Sequence, residues 1–470
     1  MIVAIALDLG STSIKAGLLD QYGTLSGIVS QPAPPVHVDG ERYESDALSY
    51  ASIADQVLAT CLLNPVLAQT TALPPLGLCS QRSSFLIWEK ISGKPVTKLI
   101  SWQDTRGAAS CIALQAQESL ITELTGLRLT PYFFAAKLRV VLHENPLLRK
   151  KLESGEWLVG TLDTFLIWRW TGGKYHITDA SMAARTLLMD ISTQQWSPVL
   201  CDLFGIPLSI LPAIGSSTEL NIPLNNGLTL QASLADQSAA LIASVGAASD
   251  VALVNLGTGG FVIRYLANDR ADIDGYLRTL VYQDNKQPAH VAIEGTLNSI
   301  AAALAPYPVA DCTVNDFAAN DIFCLAEPSG IGAPYFRKDL GLQFSASVDH
   351  LSSREVSCLL LEAIIFRVVR IVEEFHRASP IKSVFLSGGL SELVSLQQGI
   401  ALCLPCEVFR LLQRDASMQG AAIIATGEKQ VQQQKVDKIQ AENINQALPK
   451  KYLRWKHWLD GLLNSSESVP

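Results

Sequence analysis

Two short apolar runs in this 470-residue chain end in the same kind of turn, and that recurrence restricts its fold more than any other feature. Residues 2–8 (IVAIALD) lead into Gly10-Ser11-Thr12-Ser13, and residues 14–19 (IKAGLL) leave it. Residues 251–256 (VALVNL) lead into Gly257-Thr258-Gly259-Gly260, and Phe261 to Tyr265 leave it. Each reads as strand, turn, strand: a hairpin whose tip exposes backbone N–H groups and hydroxyls. Two such hairpins about one domain length apart predict a duplicated α/β fold with a phosphate loop in each half. The turn-rich stretch Asn221 to Gly227 marks the boundary, giving domains at 1–227 and 228–470.

Composition narrows the function classes. Hydrophobic residues make up 48% and charged residues 17%, as in a well-buried globular protein. The net charge is −8 and the basic residues are scattered singly, so no stripe exists to neutralise a nucleic-acid backbone. Of the nine cysteines only Cys403-Leu-Pro-Cys406 has motif spacing, without a second ligand pair, and they read as reduced structural thiols. The seven histidines are too dispersed for a zinc cage. The apolar start lacks a cationic region and is interrupted by Asp8, so it reads as a buried strand and not a signal peptide. No run of about 18 uncharged apolar residues occurs, which predicts no membrane span and a cytoplasmic location. Residues 354–377 show helical spacing, with Val356, Leu360, Ile364 and Val368 on one face and Glu362, Arg367, Arg370 and Glu374 mostly elsewhere. The Gln-rich stretch 427–447 predicts an exposed helix or a partly ordered segment, and Tyr452, Trp455 and Trp458 predict that the last segment docks on the body.

Asp8-Leu-Gly10-Ser11-Thr12-Ser13-x-Lys15 is the first group with chemical meaning. Phosphoryl transfer depends on positioning and charge neutralisation, which a Gly-rich turn supplies through close backbone N–H groups. Asp8 at the strand end suits Mg²⁺, bound through water, and Lys15 suits a phosphate. The bland alternative is an ordinary turn with a capping aspartate; the spacing is not that of a Walker loop. Gly257-Thr258 repeats the pattern. Asp236, in Ala235-Asp236-Gln237, stands at a strand-to-helix junction, where it serves either as a helix cap or as a general base. Local sequence leaves both open.

Taken in order, the segments resemble the FGGY carbohydrate kinases, and among them the glycerol kinases most closely. The resemblance rests on Asp8-Leu-Gly-Ser-Thr-Ser, Gln81-Arg82, Ser101-Trp102-Gln103-Asp104, Pro131-Tyr132-Phe133 with Lys137-Leu138, and Thr178-Asp179 with Ala184-Arg185-Thr186. It continues through Ala235-Asp236-Gln237, Gly257-Thr258-Gly259-Gly260-Phe261, Glu294-Gly295, Gly330-Ile-Gly-Ala-Pro-Tyr335 and Gly388-Gly389, covering residues 2 to about 426.

The resemblance implies two actin-like domains of the ribonuclease H-like (ASKHA) α/β type, with the active site in the interdomain cleft. It implies ATP-dependent phosphorylation of a hydroxyl on a small polyol or sugar, with ATP and Mg²⁺ as cofactors. Asp236 becomes the general base and, with Asp8, a metal-side carboxylate. Gly10, Ser11, Thr12, Ser13, Lys15, Gly257 and Thr258 bind phosphate, and Gly388 and Gly389 lie beside the adenosine. Arg82, Ser83, Trp102, Tyr132, Asp236, Gln237 and Phe261 hold the acceptor. Ser83 stands where the glycerol kinases carry a glutamate; it is shorter and neutral, so a ketopentose such as xylulose or ribulose is the alternative acceptor. Ala301, Ala305 and Leu393 depart from the family on the nucleotide side, which leaves the nucleotide preference open. The expected partners are the small acceptor and ATP, with no nucleic acid or membrane, and a homodimer left open. A catalytically silent nucleotide-binding regulator is the alternative of another class.

Overall fold

The computed structural model describes residues 1–70, 72–246, 248–266, 273–284, 289–412, 415–427, 435–441 and 445–465. The chain forms two compact units, the first comprising Met1–Ala247, Arg278–Val291 and Arg414–Gln433, and the second Ala248–Leu277, Ala292–Gln413 and Gln434–Pro470.

The first unit is built on a sheet of β1 (Ile2–Leu9), β2 (Ser13–Asp20), β3 (Leu25–Pro32), β4 (Leu76–Ser80), β5 (Ile222–Pro223) and β6 (Thr229–Ala235), in the order β5-β6-β4-β1-β2-β3. The first hairpin is present, with Asp8 opposite Lys15 across β1 and β2. β4 lies parallel to both β1 and β6. Strands buried on both faces should be near-continuously apolar, and β4 (LGLCS) is buried at every position. Burying each Ile or Leu of such a strand contributes about 1.5–3 kcal/mol.

Glycines bring the helix Ala416–Ala425 onto this sheet. A methyl on Gly77 would lie 2.1 Å from Ala421 O, and one on Gly420 would lie 1.8 Å from Ala239 O in the helix Asp236–Val245. Neither glycine can carry a side chain without parting these elements. Gly227, at the boundary suggested by the sequence, lies within the first unit, in the turn joining β5 and β6.

In the second unit, β7 (Val251–Leu256) and β8 (Gly260–Tyr265) form the second hairpin. β9 (His290–Leu297) pairs with β8 from Ala292 to Leu297. β10 (Ser383–Ser387) lies parallel to β7, β11 (Glu407–Leu411) parallel to β10, and β12 (Val436–Lys438) antiparallel to β11. The helix read over 354–377 runs Ser353–Ala378 and starts with a capping box between Ser352 and Glu355. It is buried on more sides than its pattern predicts, because Glu362 and Arg367 are buried too. Glu362 meets Lys451 at 2.5 Å and Arg367 meets Glu327 at 2.7 Å, so each buried charge has a partner from a distant segment.

The terminal helix Ala447–Ser465 packs on the same core, with Tyr452 and Trp455 buried and Trp458 partly so. Of the Gln-rich stretch, residues 428–434 and 442–444 lie outside the described residues, and Val436–Lys438 form β12. The cysteines among the described residues are all free thiols. Among the described residues, no helix is long and apolar enough to cross a membrane.

Candidate active site

Three parallel strands of the first unit end at nearly the same level. Asp8 is opposite Cys79, Cys79 is opposite Leu234, and Ala235 is opposite Ser80. Asp8 is the last residue but one of β1, and Asp236 follows β6 as the first residue of the helix Asp236–Val245. Ala235 holds the cap position, so Asp236 is not the cap; its Oδ1 accepts the Gln237 N–H at 2.7 Å. Burial pushes the Asp8 carboxyl up to about 7, and the nearby Asp236 charge pushes the same way, against a bond from the Cys79 thiol and the charge of Lys15. Burial also raises Asp236, while Arg82 and Arg185 favour its ionised form.

The turn after β1 is tied down from below. Tyr50 donates its hydroxyl to Gly10 O at 2.7 Å, and Gln81 N donates to Leu9 O at 3.0 Å. Lys15, read as a phosphate ligand, holds Asp415 Oδ1 at 2.5 Å.

Beside Asp236 lies a recess of about 310 Å³, lined by Ser11, Gln81, Arg82, Ser83, Trp102, Thr130, Tyr132, Phe133, Arg185, Asp236 and Gln237. It therefore brings together every acceptor-side residue read from the sequence except Phe261, which lies in the second unit on β8, opposite Asn255 and Thr296. Arg82 Nη2 donates to Gln237 Oε1, and Arg82 Nε is 3.9 Å from Asp236 Oδ1. Trp102 and Tyr132 are 39% and 48% exposed, which removes core packing as the reason for two large aromatic rings here.

Ser83 has a left-handed backbone (φ 60) and donates its hydroxyl to Arg185 O at 2.8 Å. Beneath the recess the buried Lys137 donates to Ser83 O and Ser101 O, both at 2.8 Å, and burial pushes its ammonium down to about 7. Ser84 Oγ accepts the Trp102 N–H at 2.9 Å and donates to Gln81 Oε1 at 2.9 Å. Asp104 is fully buried and clasps Arg106 through two bonds, at 2.8 and 2.7 Å, which stiffens the segment after Trp102.

Arg185 is the functional candidate that the reading of individual residues passed over. Its guanidinium lies 5.3 Å from the centre of the Phe133 ring and faces the recess. Asp179 brings it there by capping the helix Ala180–Ala183 through Ser181 N and Met182 N. Ser181 Oγ in turn accepts the Ala235 N–H at 2.8 Å, beside Asp236. The Ala184-Arg185-Thr186 motif was the available signal, since a cation amid small residues needs a reason.

In the second unit the Gly257-Thr258 turn closes β7, and Gly257 N donates to Gly259 O at 2.8 Å. Gly388 adjoins it. A methyl there would lie 2.4 Å from Leu256 O, and φ is +88°, so only glycine serves. A methyl on Gly389 would meet nothing within 4 Å, so the space beside its Cα is open. Ala301 and Ala305 follow closely: Ala301 N donates to Thr258 O at 3.1 Å.

The donor set fits a hard divalent cation held largely by water and phosphate oxygens. Asp8 and Asp236 offer two carboxylates whose ionised forms oppose each other, and among the described residues no group of three His, Cys, Asp or Glu forms a cage.

The N-terminal domain of the FGGY family of carbohydrate kinases matches residues 3–257, and its C-terminal domain matches residues 252–427. The chain belongs to the FGGY family of carbohydrate kinases. It is an ATP-dependent kinase of the carbohydrate or polyol class. A glycerol kinase of Rippkaea orientalis is 30% identical over 446 residues, which cover 89% of this kinase and 87% of the relative. The fold matches a Plasmodium falciparum glycerol kinase with ADP at a TM-score of 0.84 and 21% identity, covering 99% of each chain. A ligand-bound xylulose kinase of Lactobacillus acidophilus matches at 0.79 and 18%, covering 99% of this kinase and 98% of that chain. The kinase thus has the two-domain actin-like fold.

Proposed function

We propose that this kinase transfers the γ-phosphoryl group of ATP to a hydroxyl of a small polyol or ketose, with Asp236 as general base. The observation that carries the reading is the position of Asp236, at a strand end beside Asp8 and on the wall of a recess lined by Arg82, Trp102, Tyr132 and Gln237. A recess of about 310 Å³ stands at the small end of ligand sites, which suits a small acceptor. The exposed rings of Trp102 and Tyr132 offer apolar faces to the carbon chain, while Arg82 and Gln237 offer polar groups to its hydroxyls.

The acceptor hydroxyl gives its proton to the Asp236 carboxylate as its oxygen bonds the γ-phosphorus. The bond from that phosphorus to the bridging oxygen breaks, and ADP leaves. Arg82 and Arg185 favour the ionised form of Asp236 against the rise that its burial causes. Phe261 is proposed as a further acceptor contact. Gly10, Ser11, Thr12, Ser13, Lys15, Gly257 and Thr258 are proposed to bind phosphate, with Gly388 and Gly389 beside the adenosine. Asp8 and Asp236 would hold Mg²⁺, which neutralises phosphate charge during transfer.

One observation favours a ketopentose over glycerol. Position 83 carries a serine whose hydroxyl is engaged with Arg185 O, so it offers no carboxylate to accept hydrogen bonds from a three-carbon polyol. ADP release measured with glycerol, ribulose, xylulose and related sugars tests both readings. Turnover on glycerol alone overturns the ketopentose reading. Binding of ATP-Mg²⁺ with no transfer to any of them overturns the proposal of a small polyol or ketose acceptor.

A further inference from the structure

We propose that the buried ion pair Glu327–Arg367 is a positioning pair for ATP, holding the end of β9 against the Gly257–Gly260 turn and thereby fixing the backbone around Thr258. The inference rests on the reading of that turn as a phosphate-binding element.

Both side chains are 1% exposed, and Arg367 Nε donates to Glu327 Oε1 at 2.7 Å. The other carboxylate oxygen, Oε2, accepts two backbone N–H groups, from Asn298 at 2.7 Å and Gly332 at 2.8 Å. Arg367 Nη2 donates to Ala333 O at 2.8 Å, and its guanidinium lies 5.3 Å from the centre of the Tyr335 ring. The pair therefore anchors the end of β9 with the residues that follow it, 296–299, and the irregular segment 330–335 to the middle of the long helix Ser353–Ala378. The same segments are tied to each other: Asn298 Nδ2 donates to Gly330 O at 2.9 Å, and Ala333 N donates to Thr296 Oγ1 at 3.0 Å.

The other side of residues 296–298 faces the turn. A methyl on Gly332 would lie 2.2 Å from Thr296 O, and one on Gly259 would lie 3.0 Å from Leu297 O. The end of β9 is thus packed between the Gly330–Ala333 segment and the β7–β8 turn, without slack on either side. Thr258 O then accepts the Ala301 N–H at 3.1 Å, three residues past Asn298.

Two apolar residues of similar volume would fill this part of the core as well or better, since burying two charges is expensive. What the charges add is direction, because each bond fixes one backbone group in one orientation. A turn that cradles phosphate needs its N–H groups aimed, and a displacement of about 1 Å in such an element costs about a hundredfold.

The test is titration calorimetry of ATP-Mg²⁺ into the full-length wild type, Glu327→Gln, Arg367→Lys and a control, Glu362→Gln. The control breaks a second buried pair, Glu362–Lys451, which ties the terminal helix and not the turn. Circular dichroism checks each fold, and each titration is run well below the variant's own Tm. Glu327→Gln should weaken ATP binding about tenfold or more, and Arg367→Lys about threefold, with the KM of any accepted sugar unchanged in ADP-release assays. The control should lower Tm comparably and keep ATP affinity within about twofold. ATP binding within about twofold of wild type in both test variants overturns the proposal, as does an equal loss in the control. If Glu327→Gln does not fold, Arg367→Lys decides. Failure of the wild type itself to bind ATP removes the phosphate-turn reading, and the proposal with it.

Discussion

Asp8 and Asp236 sit at the ends of two parallel strands that both pair with β4, Asp8 level with Cys79 and Asp236 one residue beyond Ala235, which is level with Ser80. Two carboxylates so close in a buried setting oppose each other's ionisation. Burial and the Asp236 charge together raise Asp8 to about 7 from an ordinary 3.8. The arrangement is unfavourable for an empty fold and suited to one that receives a cation.

Asp8→Asn should therefore stabilise the metal-free protein while abolishing activity. With a folded pKa of about 7 and an unfolded value of 3.8, the native state holds a proton between these values that the unfolded chain has released. Wild-type stability thus falls as pH rises through that window, by a few kcal/mol at most. Thermal melts in a chelator should show the variant with the higher Tm at pH 8 and little difference near pH 4.5. Added Mg²⁺ should raise the wild-type Tm more than the variant's. An equal Mg²⁺ response would remove Asp8 from the metal side.

Arg185 should set the acid limb of the pH–rate profile. Asp236 must be ionised to take a proton; burial raises its pKa, and Arg82 and Arg185 oppose the rise. Arg185→Met removes one opposing charge, so the limb in kcat/KM should move to higher pH, with a loss of about tenfold or more at neutral pH. A loss of rate with an unmoved limb would make Arg185 a packing residue only.

These two aspartates were legible in the sequence because strand periodicity and a turn or helix start fix where a strand ends. The glycine-bearing hairpins were legible for the same reason. Contacts between distant segments were not. Nothing local to Tyr50 announces its bond to Gly10 O, and nothing local to Lys15 announces Asp415. The long helix shows the limit of periodicity most clearly. Glu362 and Arg367 read as a polar face, yet both are buried, because Lys451 and Glu327 arrive from elsewhere in the chain to neutralise them. Ser83 was read as a short, neutral residue in place of a glutamate, and its left-handed backbone and bond to Arg185 O became visible only in three dimensions.

Lys137 supports the acceptor recess from beneath, so Lys137→Met should raise the KM for the acceptor several-fold and leave the KM for ATP unchanged. Two buried carbonyls, Ser83 O and Ser101 O, would each lose their donor, at about 1–3 kcal/mol apiece. Relief of the buried ammonium offsets part of this. The folded pKa of about 7 lies below the ordinary 10.5, so the unfolded chain binds more protons between these values and wild-type stability rises with pH there. Melts at pH 7 and pH 9.5 should show wild type gaining on the variant. A constant difference would mean that the lysine titrates normally.

The most direct test of the account is the Asp236→Asn variant, which keeps shape and removes the base. Single-turnover transfer from ATP to the best acceptor of the sugar panel should fall by at least about a hundredfold, with ATP-Mg²⁺ still bound measurably by calorimetry. Phosphoryl transfer within about threefold of wild type would contradict Asp236 as the general base, and with it the assignment of this recess as the place where the acceptor reacts.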